Sequence, residues 1–150
     1  MKPFADSATL SGDELEAGSV FAPRFDANGL VTAVTVEAQT NEILMVAHMN
    51  ADAIAETLRS GFATYWSRSR NTLWKKGESS GELQKLVEMR TDCDQDALIV
   101  VVEQTGRGAA CHTGRKTCFY RTVQLDGDEA KLRDNGAKSL FDPNEVYGKG

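Results

Sequence analysis

The chain has 150 residues, of which 41% are hydrophobic and 26% charged, as expected for one soluble globular domain with its own core. Its net charge of −5 and pI of about 5.1 argue against a nucleic-acid-binding protein, because such proteins are usually basic. No apolar run approaches the roughly 20 residues of a membrane-spanning helix, and the acidic N-terminus lacks the apolar segment of a secretory signal. We therefore expect a cytoplasmic protein with no membrane partner.

The first half of the chain predicts an extension, a hairpin and a helix. Residues 1–20 are polar and are predicted to pack poorly, whereas the runs 30–36 and 43–49 are rich in strand-forming residues and predict a hairpin. A helix is predicted over 51–60, with Asn50 as its N-cap and Gly61 after its last turn. Its predicted buried face consists of Ala51, Ile54, Ala55 and Leu58.

The second half predicts further strands separated by polar or glycine-rich loops. The predicted strands are 62–67, 83–90, 98–103 and 118–125, and the predicted loops are 68–82 and 106–114. The fold class is therefore α+β, with mostly antiparallel strands and few short helices in a single domain. The predicted divisions are an N-terminal extension over 1–20, the domain over 21–125 and a charged tail over 126–150.

The three cysteines of the chain are Cys93, Cys111 and Cys118. An odd number in a cytoplasmic protein argues against a disulfide framework and favours metal binding or a reactive thiol. Three buried small apolar residues are the alternative. One copy cannot supply a four-cysteine structural zinc site, whereas three thiolates with one open position match a catalytic zinc.

An acidic stretch over 91–96 surrounds Cys93 with aspartates at alternate positions. These are Asp92, Asp94 and Asp96. In an extended chain their carboxylates share one face, and their mutual repulsion favours a cation such as Mg²⁺ or Ca²⁺. The first and last aspartates would lie roughly 13 Å apart in a straight strand, so we expect a bend before the strand at Leu98. A solvated acidic face is the alternative. An EF-hand is disfavoured because its sixth position, here Ala97, requires glycine.

A second metal-binding candidate is the segment CHTGRKTC, which begins at Cys111 and ends at Cys118. Its spacing is wider than that of structural zinc modules. Three thiolates would weaken the pull of a zinc ion on a bound water, so a neighbouring base would help to deprotonate that water. His112 is the candidate base, and a fourth zinc ligand is its alternative role. His48 lies in an apolar strand and is predicted to be a core residue.

The region between Tyr65 and Gly81 combines basic, aromatic, serine and glycine residues, which suits a nucleotide-like anion. A solvated hairpin tip anchored by a tryptophan is the alternative. The candidate substrate contacts are Trp66, Ser67, Arg68, Ser69, Arg70, Trp74, Lys75, Lys76, Gly77, Glu78 and Ser80.

Four segments, WSRSR, WKKGESSG, TDCDQD and CHTGRKTC, together resemble the phosphoribosyl-AMP cyclohydrolase family. They occur in the family's order, and the similarity extends from about Phe25 to Val123. The resemblance implies an intertwined homodimer in which zinc is bound by Cys93 of one subunit with Cys111 and Cys118 of the other, and Mg²⁺ by the three aspartates.

The resemblance also implies the substrate and the reaction. Water would open the adenine ring of 1-(5-phosphoribosyl)-AMP between N1 and C6, giving the formimino-aminoimidazole carboxamide ribonucleotide of L-histidine biosynthesis. The corresponding hypothesis is attack of a zinc-activated hydroxide on C6 with His112 as the base. The cations of the basic loop would neutralise the two phosphates, and one tryptophan would stack on the base.

Two other classes compete with this hypothesis. A zinc nucleoside or base deaminase carries H-x-E and P-C-x-x-C motifs, whereas His112 is followed by Thr113 and Gly114 and the chain has no C-x-x-C. A non-catalytic zinc module that binds nucleic acid or protein is disfavoured by the acidic pI and the incomplete zinc coordination.

Overall fold

The computed structural model describes residues 2–136 and 138–147; Met1 and residues 148–150 of the predicted tail lie outside this part. A 3₁₀ turn over Ser7–Thr9 precedes the other elements. The helices are α1 (Gly12–Ala17), α2 (Ala51–Ser60) and α3 (Pro143–Tyr147). The strands are β1 (Val31–Glu37), β2 (Ile43–Met49), β3 (Thr64–Ser67), β4 (Thr72–Lys75), β5 (Gln84–Thr91), β6 (Ala97–Gln104), β7 (Arg121–Asp126) and β8 (Glu129–Asp134).

Six strands form one mixed sheet in the order β4-β3-β2-β1-β6-β5, and β7 and β8 form a separate hairpin. Neighbouring strands of the large sheet are antiparallel except β1 and β6, which run parallel. The predicted β1–β2 hairpin is confirmed, as is the α+β class with mostly antiparallel strands and few helices. The intertwined homodimer remains a prediction.

The large sheet curls until its last strand meets the chain ahead of β3. Phe62 forms an antiparallel bridge with Lys85, and the backbone N–H of Leu86 donates to the carbonyl of Gly61 at 2.8 Å. Alternate residues of β6 point into the space thus enclosed, since the side chains of a strand alternate between its faces. Leu98, Val100 and Val102 are accordingly buried in a single core.

Helix α2 has the predicted limits, and its predicted buried face is confirmed at Ile54 and Ala55 but not at Ala51 and Leu58. The side chain of Asn50 accepts from the N–H of Ala53, and Gly61 ends the helix with a φ of 78°. The buried residues are Ala53, Ile54, Ala55 and Thr57. Leu58 is 38% exposed, so its predicted place in the core is wrong. Within the described residues no helix is long and apolar enough to cross a membrane.

Three regular elements occur where loops or an unpatterned tail were predicted. Strand β4 lies inside the predicted loop 68–82 and pairs with β3 from Thr64 to Ser67. Strand β8 and helix α3 lie in the predicted tail, and β7 begins at Arg121 rather than at residue 118. Each missed strand is short and is stabilised by hydrogen-bonded pairing with its antiparallel partner.

The N-terminal extension is mostly exposed, with none of residues 2–20 buried, but Phe4 attaches it to the domain. A capping box between Ser11 and Glu14 starts α1, and Phe4 packs against the core with its ring centroid 5.8 Å from that of Phe21. The backbone N–H of Ala5 also donates to the carbonyl of Phe21 at 2.9 Å. These contacts hold the extension close to the loop between β5 and β6.

Candidate active site

The aspartate stretch forms the tight connection between β5 and β6, so the predicted bend is confirmed. Gln95 adopts a φ of 58°, and the carboxylate of Asp92 accepts from the N–H groups of Asp96 and Ala97 at 3.0 and 3.2 Å. Cys93 is exposed on this loop. Folding back in this way gathers side chains that a straight strand would keep apart.

The carboxylates of Asp92, Asp94 and Asp96 each offer an oxygen, and these oxygens all lie within 4.8 Å of one another. Hydrogen bonding and repulsion from the other two carboxylates raise the pKa of Asp96 to about 6. Burial favours a higher pKa for Asp92, but hydrogen bonds from Asp96 and Ala97 hold that pKa below its usual value. Three acidic oxygens this close fit a hard divalent cation, which would relieve their repulsion.

Gln95 fixes this loop to the N-terminal extension, and it was not predicted as a site residue. Its side-chain oxygen accepts from the N–H of Ala22 at 2.8 Å, and its amide nitrogen donates to the carbonyls of Leu15 and Val20 at 2.9 and 3.3 Å. Gln95 is only 4% exposed. A glutamine among three aspartates is the sequence signal that could have drawn attention to it.

Cys111 and Cys118 lie at the two ends of an irregular turn. The N–H of Cys111 donates to the carbonyl of Arg115 at 3.1 Å, and the N–H of Cys118 donates to the carbonyl of Leu44 at 2.8 Å, which joins the turn to β2. The hydroxyl of Thr113 donates to the sulfur of Cys111 at 3.1 Å. Burial and the neighbouring Cys111 raise the pKa of Cys118 to about 12. Two adjacent sulfurs fit a soft cation such as zinc, which would bind both as thiolates.

Glu82 joins the cysteine turn to the basic loop, and it was not predicted as a site residue. This carboxylate is 1% exposed and accepts backbone hydrogen bonds from Arg107, Gly108 and Ala109 at 3.0, 3.0 and 3.2 Å. The chain then continues through Ala110 to Cys111. An acidic residue directly after the segment WKKGESSG is the signal that could have drawn attention to it.

Lys76 is buried beside the cysteine pair. It is 3% exposed, and its ammonium lies 5.6 Å from the ring centroid of Trp74. Burial lowers the pKa of Lys76, while the nearby Cys118, Cys111 and Glu82 favour its charged form. A positive charge in this position compensates for negative charge on the two sulfurs.

A cavity of about 330 Å³ joins the basic loop to the cysteine turn. Eight predicted site residues line it: Arg70, Trp74, Lys76, Gly77, Glu78, Ser80, His112 and Cys118. Tyr147 of α3 also lines it, although the tail was given no role. The structure thus brings His112, one cysteine and much of the predicted anion-binding loop to one concave surface.

The remaining five predicted substrate contacts do not line this cavity. Trp66 is half-buried on β3, opposite the half-buried His48, and does not line the cavity. The hydroxyl of Ser67 accepts from the N–H of Arg70 at 3.3 Å and so shapes the turn between β3 and β4. Lys75 places its ammonium 5.1 Å from the ring centroid of Phe62. The other two, Arg68 and Ser69, are exposed at the hairpin tip.

Cys93 lies on a different surface from the other two cysteines. It lines a groove of about 530 Å³ together with Leu58 and Met89, whereas Cys118 lines the cavity described above. Among the described residues, the three aspartates are the only group of three metal-ligating side chains whose ligand atoms converge. The cysteines of one chain therefore form a pair and a separate single thiol.

An acidic cluster, a cysteine pair and a basic cavity within one small α+β fold are typical of a metal-dependent enzyme that acts on an anionic substrate. The sequence profile of the phosphoribosyl-AMP cyclohydrolase family matches residues 45–120. This chain belongs to that family of hydrolases.

Individual relatives extend the similarity beyond the matched segment. A phosphoribosyl-AMP cyclohydrolase of Mesorhizobium japonicum is 60% identical over 135 residues, which are 90% of this chain and 88% of the relative. That of Nitrobacter hamburgensis is 58% identical over 144 residues, or 95% of each chain. The similarity thus includes most of both predicted terminal regions.

Proposed function

We propose that this chain opens the adenine ring of 1-(5-phosphoribosyl)-AMP by hydrolysis of the N1–C6 bond, as a cytoplasmic enzyme of L-histidine biosynthesis. The supporting observation is the cavity that His112, Cys118 and the basic loop share, in a chain 60% identical to a relative with that activity in its name. The water oxygen becomes the carboxamide oxygen at C6, and N1 leaves with a proton as part of the formimino group.

The zinc ligands in this proposal are Cys111 and Cys118 of one subunit and Cys93 of the other. The first two are adjacent, while Cys93 lines a separate groove of the same chain, so one chain offers two of the three sulfurs together. A homodimer would supply the third sulfur at each of two equivalent sites. Zinc held by these residues would lower the pKa of a bound water and so would supply a nucleophile near neutral pH.

His112 is proposed as the general base. It is exposed at the wall of the cavity and directly follows Cys111, so its imidazole can reach a water held beside the cysteine pair. It takes a proton from that water and returns one to N1 as the C6–N1 bond breaks.

The basic loop is proposed to bind the two phosphates of the substrate. Arg70 offers a guanidinium at the cavity, and Ser80 with the backbone of Gly77 offers uncharged donors. Trp74 is the tryptophan that lines the cavity, so it is the one we propose to stack on the base. We propose that the buried Lys76 acts mainly on the cysteine pair rather than on a phosphate.

The aspartate loop is proposed to bind Mg²⁺ close to the zinc site. Asp92 and Asp94 flank Cys93 in sequence, so a dimer that brings Cys93 to the partner's cysteine pair brings the acidic loop there too. Mg²⁺ at this position would offset the negative charge of a substrate phosphate and of the carboxylates.

The sharpest test mixes two inactive variants, Cys93→Ser and Cys111→Ser. A mixed dimer contains one site with all three cysteines and one with two serines, so about half of the wild-type activity per mixed dimer should return. Turnover is followed by absorbance of phosphoribosyl-AMP, with a zinc chelator as the control. No recovery from verified mixed dimers would contradict the shared site.

A second variant tests whether His112 is a general base or a zinc ligand. His112→Ala should retain zinc and lower turnover by roughly 10²- to 10⁴-fold, the usual contribution of a general base. Zinc content is measured on the same sample. Loss of the metal would instead identify His112 as a ligand.

A further inference from the structure

The β7–β8 hairpin carries an exposed apolar face. Directly opposite residues of an antiparallel pair share a face, so the pairs Val123–Leu132 and Leu125–Ala130 lie together, while Thr122 and Gln124 face the other way. Val123, Leu125 and Leu132 are 70%, 76% and 58% exposed. A two-stranded ribbon is marginally stable alone in water, so this face needs an apolar surface to cover it.

An apolar groove lies on another side of the same chain, around Cys93. It has a volume of about 530 Å³, and its apolar walls come from Leu15, Val20, Phe21, Leu58 and Met89. Val20 and Leu58 are 47% and 38% exposed, so the groove offers accessible apolar surface rather than a closed core. The side chain of Gln95 fixes one wall, because it binds the carbonyls of Leu15 and Val20.

The proposed zinc site connects the groove with the hairpin. Cys93 is part of the groove wall, while Cys118 lies three residues before β7 and is followed by Phe119, which is 53% exposed. If Cys93 of one copy meets the cysteine pair of another, Phe119 and the start of the hairpin must lie against that groove. The segment from Cys118 to Leu125, seven residue-to-residue steps, spans about 23 Å when extended, enough to cross it.

We infer that Phe119 and the apolar face of the β7–β8 hairpin occupy the groove beside Cys93 of a second copy of this chain. The inference rests on the proposed sharing of the zinc site and names the surfaces that build the dimer. A two-fold axis makes the contact twice, with each chain giving its hairpin and receiving that of its partner. The exchange places each shared metal site at the edge of the groove.

The test on the hairpin compares two aspartate variants on one strand. Val123→Asp should raise the dimer dissociation constant by roughly 10- to 100-fold, because a charge would enter an apolar contact. Gln124→Asp adds the same charge on the opposite face of the ribbon and should leave that constant unchanged. Sedimentation equilibrium of the zinc-loaded protein gives both values, and circular dichroism checks that each variant folds.

The test on the groove uses Val20→Asp, with Val87→Asp as its control. Val87 is 54% exposed but does not line the groove, so only Val20→Asp should weaken the dimer. Activity gives a second readout: Val20→Asp and Val123→Asp should lose activity on dilution and recover it at high protein concentration. A folding defect would not be reversed by concentration.

The outcomes separate this inference from the proposed function. Intact dimers in both Val20→Asp and Val123→Asp, with successful mixing of the cysteine variants, would overturn the inference and leave the shared zinc site standing. Weakening by Val123→Asp alone would also overturn it, since the hairpin would then dock outside the groove. A fully active wild-type monomer would overturn the shared zinc site and this inference with it, whereas a zinc-loaded dimer without ring-opening activity would contradict the proposed function.

Discussion

Arg107 donates two hydrogen bonds to one carboxylate oxygen of Glu82, from its backbone N–H at 3.0 Å and from its Nε at 2.7 Å. The other oxygen accepts from the backbone N–H groups of Gly108 and Ala109. One buried carboxylate thus satisfies three consecutive backbone donors and a guanidinium. It holds the turn that leads to Cys111 against the end of the basic loop, so the two halves of the cavity are positioned by the same side chain.

Replacement of this carboxylate by an amide should separate the two halves. Glu82→Gln removes the charge and directs an NH₂ group at backbone donors, so it should lower the free energy of unfolding by about 2–4 kcal/mol. Urea unfolding measures the loss. Glu103→Gln, at an exposed position on β6, is the control and should change stability by less than about 0.5 kcal/mol. Equal effects of the two substitutions would contradict the role of Glu82.

The stabilisation by Glu82 should depend on pH in one direction. Burial favours a higher pKa for Glu82, but the hydrogen bonds from Arg107 and Ala109 outweigh it and hold the folded-state pKa below 4.5. The stabilisation is therefore complete above pH 4.5 and is lost as the pH falls through the lower folded-state pKa. The difference in unfolding free energy between wild type and Glu82→Gln should be constant from pH 7 to about pH 5 and should shrink on further acidification. A difference that grows in acid would have the wrong sign.

Local signals were sufficient for α2 and insufficient for β4 and β8. Asn50 and Gly61 define the helix ends by capping, which depends on residues adjacent in sequence. Strand β4 has only four residues and pairs with β3, and β8 is a charged segment that pairs with β7. The stability of both strands comes from pairing with a partner strand. Their own composition does not reveal that pairing, and on its own it predicts loops.

In the candidate site, too, residues within sequence motifs were predicted, whereas residues that act through contacts distant in sequence were missed. The motifs identified His112 and Cys118, and the cavity contains both. Glu82 and Gln95 were missed because each acts on backbone groups of another segment; Glu82 and Arg107 are 25 positions apart in the sequence. Tyr147 reaches the cavity only because the chain after β8 returns to it. Such contacts depend on topology and leave no periodic pattern in the sequence.

Buried hydrogen bonds made by the hydroxyl of Tyr65 predict that Tyr65→Phe lowers the free energy of unfolding. The hydroxyl of Tyr65 lies 2.6 Å from that of Thr35 and donates to the side chain of Gln84 at 2.6 Å. Removal of the hydroxyl leaves both partners short of a hydrogen bond, which should cost about 1–3 kcal/mol of unfolding free energy. Tyr120→Phe is the matched control, because that ring is half-buried and packs beneath the guanidinium of Arg115. Thermal unfolding measures the loss of stability in both variants. An equal loss in the two would refute a special role for the buried hydrogen bonds of Tyr65.

Two glycines of the basic loop should respond differently to alanine. Both have left-handed backbones, with φ of 88° at Gly77 and 82° at Gly81. A Cβ at Gly77 would overlap the backbone of Glu82 and Leu83, whereas a Cβ at Gly81 would meet nothing within 4 Å. Gly81→Ala should therefore cost about 1–2 kcal/mol for its backbone alone, and Gly77→Ala considerably more. Urea unfolding of both variants makes the comparison, and similar losses would contradict the close approach at Gly77.

Lys76 should affect metal retention more than substrate affinity. Its buried ammonium lies near Cys111, Cys118 and Glu82, so Lys76→Met would remove the charge that compensates the two sulfurs while keeping most of the apolar volume. We expect zinc affinity to fall by roughly 10- to 100-fold, as for other groups that support metal ligands. Lys75→Met is the control, since its ammonium lies over the ring of Phe62 and Lys75 does not line the cavity that contains Cys118. Zinc content is measured after dialysis against a graded chelator series. If Lys76→Met retained zinc as well as Lys75→Met and raised only the KM, Lys76 would be a phosphate ligand instead.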